Sequence, residues 1–289
     1  MEQIRIKTPA KINLTLEIVN KRPDGFHNIQ SVMQLIDLYD YLTITIQESD
    51  EQEIILSGTS DEIPYDETNL VYRAAELYFN YLSLQKESYF AEQKHRVNIH
   101  IEKNIPVSAG LAGGSTNAAG TIFGLNQLFD EVLSKERLHL LCEKLGSDLN
   151  VCLEGGCLLA TGRGEKIEAL PFREYGVALI KPTTLGISAK EAYTKYSKLE
   201  NKQSCDYTHK LIDSLKIGTD ITQFLYNDLE TAVFDDYKEL STIKNIYPKS
   251  IMSGSGSTYF GLNTNFEQME GYWVKNDLKF IPEGVSVCD

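Results

Sequence analysis

The chain of 289 residues suits two domains or one two-lobed unit and is too short for three domains. Its hydrophobic fraction of 42% and charged fraction of 24% are ordinary for a globular protein, which argues against a disordered, fibrous or repeat protein. The formal net charge of −13, without a basic cluster in the sequence, argues against a nucleic-acid-binding protein.

The N-terminal segment has the alternation of a β-strand. Over residues 10–18 the apolar side chains would lie on one face of the strand, while Lys11 and Asn13 would lie together on the other. Residues 23–25, Pro-Asp-Gly, have the composition of a turn. We therefore predict that this strand is the first arm of a hairpin.

Further elements follow the same two periodicities, period two for strands and period 3.6 for helices. The predicted strands cover residues 42–46, 97–101, 177–180 and 259–262. The predicted helices cover residues 69–82, 115–129, 134–146 and 188–196. Early strands, a strand–loop–helix unit and then mixed elements predict an α+β protein, with a boundary between two lobes near residues 155 and 156.

The segment PVSAGLAGGSTNAA, residues 106–119, carries the strongest chemical signal. Its three glycines allow a ligand to approach the backbone closely, and the helix that follows offers unpaired N–H groups and its positive dipole end to an anion. Ser115 is a candidate ligand of a phosphate-bound Mg²⁺. The segment is neither a Walker A loop nor a dinucleotide-binding fingerprint. A glycine-rich turn that only lets a helix pack tightly would have the same composition.

Three segments resemble the motifs of the GHMP kinases, the family of galactokinase, homoserine kinase and mevalonate kinase. Residues 8–14 (TPAKINL) resemble the first motif, residues 106–115 the second and residues 252–256 (MSGSG) the third. The resemblance implies an ATP-dependent small-molecule kinase with an alcohol acceptor. It also implies a two-lobed α+β fold, with a ribosomal S5 domain 2-like N-terminal lobe over residues 1–155 and a ferredoxin-like C-terminal lobe over residues 156–289.

The resemblance implies roles for individual residues. Asp148 would accept the proton of the acceptor hydroxyl, with Lys11 beside it to orient the nucleophile; a helix N-cap is the alternative role of Asp148. Asn69 and Lys103 would line the adenine pocket, or would instead be a helix cap and an exposed lysine. The triphosphate of ATP, with Mg²⁺, would be bound by Pro106, Gly110, Leu111, Ala112, Gly113, Gly114, Ser115 and Thr116.

Residues 21–29 (KRPDGFHNI) resemble those family members whose acceptor is a cytidine diphosphate-linked polyol of non-mevalonate isoprenoid biosynthesis. Phe26 would stack on the cytosine, an interaction worth about 1–3 kcal/mol per base. His27 would hydrogen-bond the pyrimidine edge, and Asn13 would also bind the acceptor. The implied reaction is phosphorylation of the 2-hydroxyl of the methylerythritol part. Alternatively, Phe26 is a core residue and His27 lies in an exposed turn.

Three positions depart from the family pattern. Asn150 stands where a proline is expected, Ser257 follows the third motif, and Ala189 replaces a threonine that would contact the acceptor. The missing hydroxyl at Ala189 bears on the identity of the acceptor more than on the type of reaction. A GHMP kinase for another small alcohol and a catalytically silent nucleotide-binding relative therefore remain alternatives.

Neither a membrane nor a nucleic-acid partner is expected. No apolar run approaches the ~20 residues that span a bilayer, and the first five residues lack the apolar core of a signal peptide. An odd number of scattered cysteines is typical of buried thiols in a cytoplasmic protein. The five are Cys142, Cys152, Cys157, Cys205 and Cys288. Both a monomer and a homodimer are compatible with the sequence.

Overall fold

The computed structural model describes residues 2–84, 93–199 and 206–288, so Cys205 lies outside the described residues. The first sheet contains β1 (Glu2–Asn13), β2 (Thr15–Lys21), β3 (His27–Glu48), β4 (Glu53–Gly58), β5 (His95–Glu102), β6 (Cys157–Gly162), β7 (Lys166–Ala169), β9 (Tyr226–Asn227) and β13 (Ser286–Val287). The second sheet contains β8 (Gly176–Pro182), β10 (Ile251–Met252), β11 (Tyr259–Leu262) and β12 (Tyr272–Lys279).

The helices are α1 (Leu70–Leu84), α2 (Gly113–Leu128), α3 (Lys135–Leu145), α4 (Leu149–Glu154), α5 (Ala189–Ser197), α6 (Tyr207–Ile217), α7 (Asp228–Val233) and α8 (Lys238–Ile246). Over the residues described above, none of them is long and apolar enough to cross a membrane. The predicted α+β class is confirmed, because the structure combines two sheets with helices.

The 22-residue strand β3 is the centre of the first sheet. One of its edges pairs antiparallel with β1 over residues 33–46 and with β2 over residues 27–30. The other edge pairs with β5 and β6. The predicted hairpin between β2 and β3 is therefore present. Strand β1, which contains the first motif, and strand β2 both pair with the same edge of β3.

The predicted continuous strand over residues 10–18 is wrong in one respect, because it is interrupted at Leu14. Asn13 ends β1, and its backbone N–H donates to the Ser253 hydroxyl rather than to a strand. The polar face of β1 is also buried, with Lys11 only 3% exposed. The apolar side chains of this segment thus face the protein interior, while the alternating polar side chains face a buried polar site rather than solvent.

Helices α1, α2 and α3 cover one face of the first sheet. The apolar side chains of β1, β3 and β5, such as Ile6, Leu42 and Ile99, pack with Ala118 and Ile122 of α2 in one core. Helix α2 begins at Gly113, two residues earlier than predicted, because Ala112 adopts a left-handed conformation (φ 58°) as its N-cap. Two glycines of the glycine-rich segment therefore form the first turn of the helix.

The second sheet is antiparallel, with the strand order β10-β11-β8-β12. Alternate residues of β8 serve two cores. Val177 and Leu179 face α6 and the first sheet, while Ala178 and Ile180 face α5, α7 and α8. The order is that of a ferredoxin-like sheet, but a loop over residues 263–271 stands where the second helix of that pattern would be.

The lobe boundary at residues 155 and 156 stays a prediction. On its C-terminal side, β6 and β7 continue the first sheet through pairing with β3. Strand β13, close to the C-terminus, pairs with β1. Between these two, β9 pairs with β2. The chain therefore returns to the first sheet three times after residue 156, and the two sheets share the core in which Ala10 and Phe260 are both buried.

Candidate active site

One large cavity lies between the glycine-rich segment, the β2–β3 hairpin and α5. Its volume of about 1070 Å³ is slightly above the ~300–1,000 Å³ that ligand pockets usually have, which leaves room for two substrates. All three motif segments contribute to its wall, through Lys11, Gly110 and Gly254 among others. Residues far apart in the sequence therefore form one site.

A lysine–carboxylate pair lies in the wall of this cavity. The Lys11 Nζ atom is 3.4 Å from Asp148 Oδ2 and donates a hydrogen bond of 2.7 Å to Asn13 Oδ1. The Asn13 amide is itself fixed, since its Nδ2 donates to Ser31 Oγ at 2.8 Å. Asp148 precedes α4, but its side chain makes no capping hydrogen bond. Asp148 thus occupies the N-cap position of α4 as the alternative has it, but its side chain does not cap the helix, and its carboxylate lines the cavity.

The glycine-rich segment and the third motif segment pack directly on each other. Gly110 has φ 76°, and a Cβ atom at this position would overlap the carbonyl oxygen of Ser253. The Ser253 hydroxyl donates to Gly110 O at 3.0 Å. On the other side, the Asn227 side chain donates to Met252 O at 2.6 Å and to Gly254 O at 2.8 Å. Beside this packed contact, the first turn of α2 lines the cavity, so its N-terminal end is open to a ligand.

Eight of the ten residues predicted to bind the nucleotide line the cavity; Leu111 and Thr116 do not. The Leu111 side chain packs in the core shared by the two sheets, and its carbonyl oxygen accepts the backbone N–H of Lys11. Thr116 is fully buried in α2. Both side chains are therefore used in packing, and a contact of these two residues with a nucleotide stays a prediction.

Asn69 and Lys103 reach the cavity with side chains that already have partners. The Asn69 Oδ1 atom accepts the backbone N–H of Val71 at 2.9 Å, so this residue is the N-cap of α1. Lys103 is not an exposed lysine, because its ammonium forms an ion pair with the buried carboxylate of Asp40. Their contact with a nucleotide stays a prediction.

The opposite part of the cavity carries an exposed aromatic ring. Phe26 is 54% exposed, so its alternative role as a core residue is wrong. The Arg163 guanidinium carbon lies 5.3 Å from the centre of the Phe26 ring, and Arg163 also lines the cavity. Sequence analysis did not identify Arg163, because nothing in its own segment signals that the turn between β6 and β7 lies beside the β2–β3 hairpin.

His27 is buried rather than exposed and stacks on Tyr193 of α5, with ring centres 5.2 Å apart. The Ser197 hydroxyl donates to Tyr193 O at 2.9 Å, so the His27 Nε2 atom, 3.2 Å from Ser197 Oγ, is the donor in that contact. Burial raises the pKa of Tyr193, whose phenol therefore stays neutral at physiological pH. Tyr193 and Ser197 were not predicted as site residues, although their spacing of four places them on one helix face.

The three departures from the family pattern have different surroundings. The Asn150 Oδ1 atom accepts a hydrogen bond from His139 Nδ1 on α3 at 3.1 Å, and its Nδ2 donates to Glu165 O at 2.9 Å, which ties α4 to the turn that carries Arg163. The buried Ser257 donates to Leu185 O. Ala189 lines the cavity at the start of α5. Only the third departure changes the surface that a ligand would meet.

The donor set of the cavity suits a magnesium ion that arrives with a phosphate ligand. Within residues 2–84, 93–199 and 206–288, no three His, Cys, Asp or Glu side chains are grouped as a metal site. Ser115, in the first turn of α2, lines the cavity. Mg²⁺ usually keeps several waters and binds through one or two protein oxygens together with substrate phosphates. The Ser115 hydroxyl therefore fits a nucleotide-bound ion.

Comparison with known proteins gives consistent matches over nearly the whole chain. The family model described as GHMP kinases N terminal domain matches residues 69–156. The 4-diphosphocytidyl-2-C-methyl-D-erythritol kinase of Clostridioides difficile (strain 630) is 41% identical over 278 residues, which cover 92% of this chain and 89% of that protein. The kinase of the same name from Bacillus subtilis (strain 168) is 40% identical over 263 residues, covering 89% and 86%.

A solved structure agrees with these sequence matches. The crystal structure of a 4-(cytidine 5'-diphospho)-2C-methyl-D-erythritol kinase superposes with a TM-score of 0.71 and 26% identity. The superposition covers 96% of this chain and 99% of that chain. The similarity therefore extends over nearly the whole length of both chains.

Proposed function

Because the chain belongs to the family of 4-diphosphocytidyl-2-C-methyl-D-erythritol kinases within the GHMP kinases, we propose that it transfers the γ-phosphate of ATP to the 2-hydroxyl of 4-diphosphocytidyl-2-C-methyl-D-erythritol. The product would be an intermediate of non-mevalonate isoprenoid precursor biosynthesis. Since both substrates are water-soluble anions, we expect the reaction to take place in the cytoplasm.

The proposal rests on one observation, namely that three features line the same cavity. They are the Lys11–Asp148 pair, the open N-terminal end of α2, and the exposed Phe26 ring. A kinase for a cytidine-linked alcohol needs a group that accepts the hydroxyl proton, a site for a triphosphate and a face for a base. The cavity offers all three.

In the proposed reaction, Asp148 accepts the proton of the 2-hydroxyl group. The hydroxyl oxygen then bonds to the γ-phosphorus, while the bond from that phosphorus to the bridging oxygen breaks and ADP leaves. The Lys11 ammonium attracts the Asp148 carboxylate from 3.4 Å and orients it. Its contact with Asn13 fixes the ammonium in turn.

The triphosphate of ATP would lie against the backbone of Gly110 and the first turn of α2, where N–H groups and the helix dipole attract anions. Asn69 and Lys103 would lie beside the nucleoside. Ser115 would contribute one ligand to Mg²⁺, which neutralises phosphate charge when bound. At the other end, the cytosine would stack on Phe26, with His27 at its hydrogen-bonding edge.

The acceptor assignment is tested by product analysis. Purified protein, Mg-ATP and 4-diphosphocytidyl-2-C-methyl-D-erythritol should give ADP and a product whose new phosphate lies on the 2-oxygen, as observed by ³¹P NMR. A parallel reaction with methylerythritol 4-phosphate, which lacks the cytidine, should be slower by ~10-fold or more, because the stacking contact is lost.

Different outcomes separate the alternatives. Equal rates with and without the cytidine, or faster phosphorylation of a mevalonate-type or sugar-like alcohol, would overturn the acceptor and leave a kinase of another specificity. Nucleotide binding without phosphate transfer to any of these alcohols would indicate a catalytically silent relative.

A further inference from the structure

Asp40 is a buried carboxylate beside the candidate site to which sequence analysis gave no role. It lies on β3 opposite Thr8, next to the shift in register at Pro9 and Ala10 of the first motif. Its exposed fraction is 0%. A buried carboxylate is costly unless its oxygens are paired, so its partners identify the part of the molecule that it holds.

The two oxygens of Asp40 have separate partners. Oδ1 accepts the backbone N–H groups of Asn104 at 2.6 Å and Ile105 at 2.8 Å. Oδ2 forms the ion pair with Lys103 Nζ. One carboxylate thus holds three consecutive residues, which come immediately before Pro106 and the glycine-rich segment.

The Lys103 ammonium lies at the start of α2. Its side chain is only 5% exposed, and a Cβ atom at Gly113 would be 2.6 Å from Nζ. An ammonium beside the positive end of a helix is repelled by the helix dipole, so it needs a negative partner to stay there. Burial lowers the pKa of Lys103, and the charge of Asp40 opposes that change.

Asp40 is also connected to the next turn of α2 through its backbone. Its carbonyl oxygen accepts the Thr8 hydroxyl at 3.1 Å, and the Thr8 oxygen accepts the side-chain N–H of Asn117 at 2.9 Å. Asn117 belongs to α2 and lines the cavity. The first motif, the helix start and the segment before Pro106 therefore meet at this one residue.

We propose that Asp40 is a positioning residue for the nucleotide, which acts by holding Lys103 and residues 104–105 against the first turn of α2. The inference rests on the proposed function in one respect, namely that this part of the cavity binds ATP. Asp40 itself does not line the cavity, so its effect on ATP must pass through Lys103 and the segment that it holds.

The substitution D40N separates the two sets of contacts. Asparagine keeps an oxygen for the two backbone N–H groups, but places its own NH₂ group against the Lys103 ammonium. The comparison needs four full-length proteins besides the wild type: D40N, K103M, the double variant D40N/K103M, and E102Q as a control. Glu102 pairs with Arg5 at 2.9 Å one residue before Lys103, but on the exposed surface.

The decisive measurement is direct titration of each protein with ATP, because it needs no acceptor. If Asp40 acts through Lys103, D40N and K103M should each weaken ATP binding by ~10-fold, and the double variant should be no weaker than K103M. The KM for the acceptor should stay within about twofold of the wild type in D40N. E102Q should bind ATP like the wild type.

Thermal unfolding distinguishes positioning from a merely structural role. D40N leaves an unpaired buried ammonium and should unfold at a lower temperature, whereas D40N/K103M should recover most of the loss without recovering ATP affinity. If D40N alone does not fold, the comparison of K103M with the double variant still decides, because neither contains the unpaired ammonium.

Two results would overturn the inference while leaving the proposed function intact. One is ATP binding by D40N within about twofold of the wild type. The other is a ~100-fold loss of ATP affinity in the double variant, the product of the two single losses, which would mean that the two residues act independently. Failure of the wild-type protein to phosphorylate the acceptor, with normal ATP titrations, would instead overturn the acceptor assignment alone.

Discussion

The Asp148 carboxylate faces Lys11 and has no capping contact, so it can be tested as the group that accepts the hydroxyl proton. Asp148→Asn preserves the size of the side chain and removes its basicity. We expect the turnover number to fall by ~10²–10⁴, the usual contribution of a general base, while ATP affinity changes little. Stopped assays of ADP release together with ATP titration measure both.

The matched control is Asp24→Asn. Asp24 also lines the cavity, but its carboxylate pairs with Arg22 and is not near a proposed reacting group. Its turnover number should stay within a few-fold of the wild type. A D148N protein as active as D24N would show that the proton goes elsewhere.

Arg163 provides a test of the acceptor end of the cavity. Its guanidinium lies against the exposed Phe26 ring, an arrangement worth about 0.5–1 kcal/mol at exposed sites, and it would attract the diphosphate of the acceptor. Arg163→Gln should raise the KM for the acceptor by roughly fivefold and leave the KM for ATP unchanged.

Arg22→Gln is the control for this change, because Arg22 is in the same hairpin but does not line the cavity. Steady-state kinetics with each substrate varied in turn give the comparison. An R163Q protein with an altered KM for ATP and an unaltered KM for the acceptor would contradict the assignment of this end of the cavity to cytidine diphosphate.

At the residue level, sequence identified side chains that belong to contiguous motifs and missed those that depend on distant packing. Lys11, Asp148 and Phe26 lie in segments with recognisable order, and each lines the cavity. Arg163 and Asp40 could not be found in this way. Their neighbours are 137 and 63 positions away in the chain, respectively, so only strand pairing brings them into contact.

The contact between the glycine-rich segment and the third motif segment predicts a sharp difference between two glycines. An alanine at Gly110 would adopt a left-handed conformation and overlap Ser253 O, whereas an alanine at Gly114 would find its nearest neighbour at 3.7 Å. Gly110→Ala should therefore lower the free energy of unfolding by roughly 2–4 kcal/mol. Urea unfolding followed by circular dichroism measures the effect.

Gly114→Ala is the control for stability, because alanine is preferred to glycine within a helix and has space here. It should not lower the free energy of unfolding. Equal stabilities of the two variants would contradict the observed packing of the glycine-rich segment on the third motif segment.

The start of α7 predicts a dependence of stability on pH. Asp228 is buried, accepts the backbone N–H of Ile18 at 2.6 Å and the Tyr226 hydroxyl at 2.8 Å, and has a raised pKa because burial disfavours its charge. Because the pKa of Asp228 is higher in the folded state, this residue adds to the free energy of unfolding when the pH is below its unfolded-state pKa of about 3.9. The contribution is lost as the pH rises through the folded-state pKa.

Asp228→Asn should therefore become more stable relative to the wild type as the pH rises from about 4 to 7. Asparagine can keep both contacts, with its oxygen toward Ile18 and its amide toward Tyr226. Melting temperatures across this pH range measure the difference. The control is Asp213→Asn, on the exposed face of α6, whose melting temperature should change with pH as that of the wild type does. If the melting temperatures of D228N and D213N changed with pH in parallel, the prediction would be contradicted.

Periodicity located most of the elements but not the way in which they end. The break at Leu14 coincides with the hydrogen bond from the Asn13 backbone to Ser253, 240 positions later, which no local pattern contains. The early start of α2 depends on the left-handed backbone of Ala112, a residue that rarely adopts this conformation. Both errors lie at the candidate site, where the backbone leaves regular strand or helix geometry beside the cavity.

For the whole molecule, sequence sufficed for the class and the family, because three motifs in a fixed order occur along the chain. The topology did not follow from the sequence. The long β3, with partners on both edges, and the return of β6, β7, β9 and β13 to the first sheet depend on pairings between distant segments. These pairings bring the β2–β3 hairpin, α2 and α5 to one cavity.

The most direct test of the proposed activity is ADP release by the purified protein with Mg-ATP and 4-diphosphocytidyl-2-C-methyl-D-erythritol, repeated with Phe26→Ala. We predict robust turnover by the wild type, and a variant that loses activity mainly through a KM for the acceptor raised by ~10-fold or more. Absence of turnover by a wild-type protein that binds ATP, or an F26A protein with unchanged kinetics, would contradict the assignment of this cavity to a cytidine-linked acceptor.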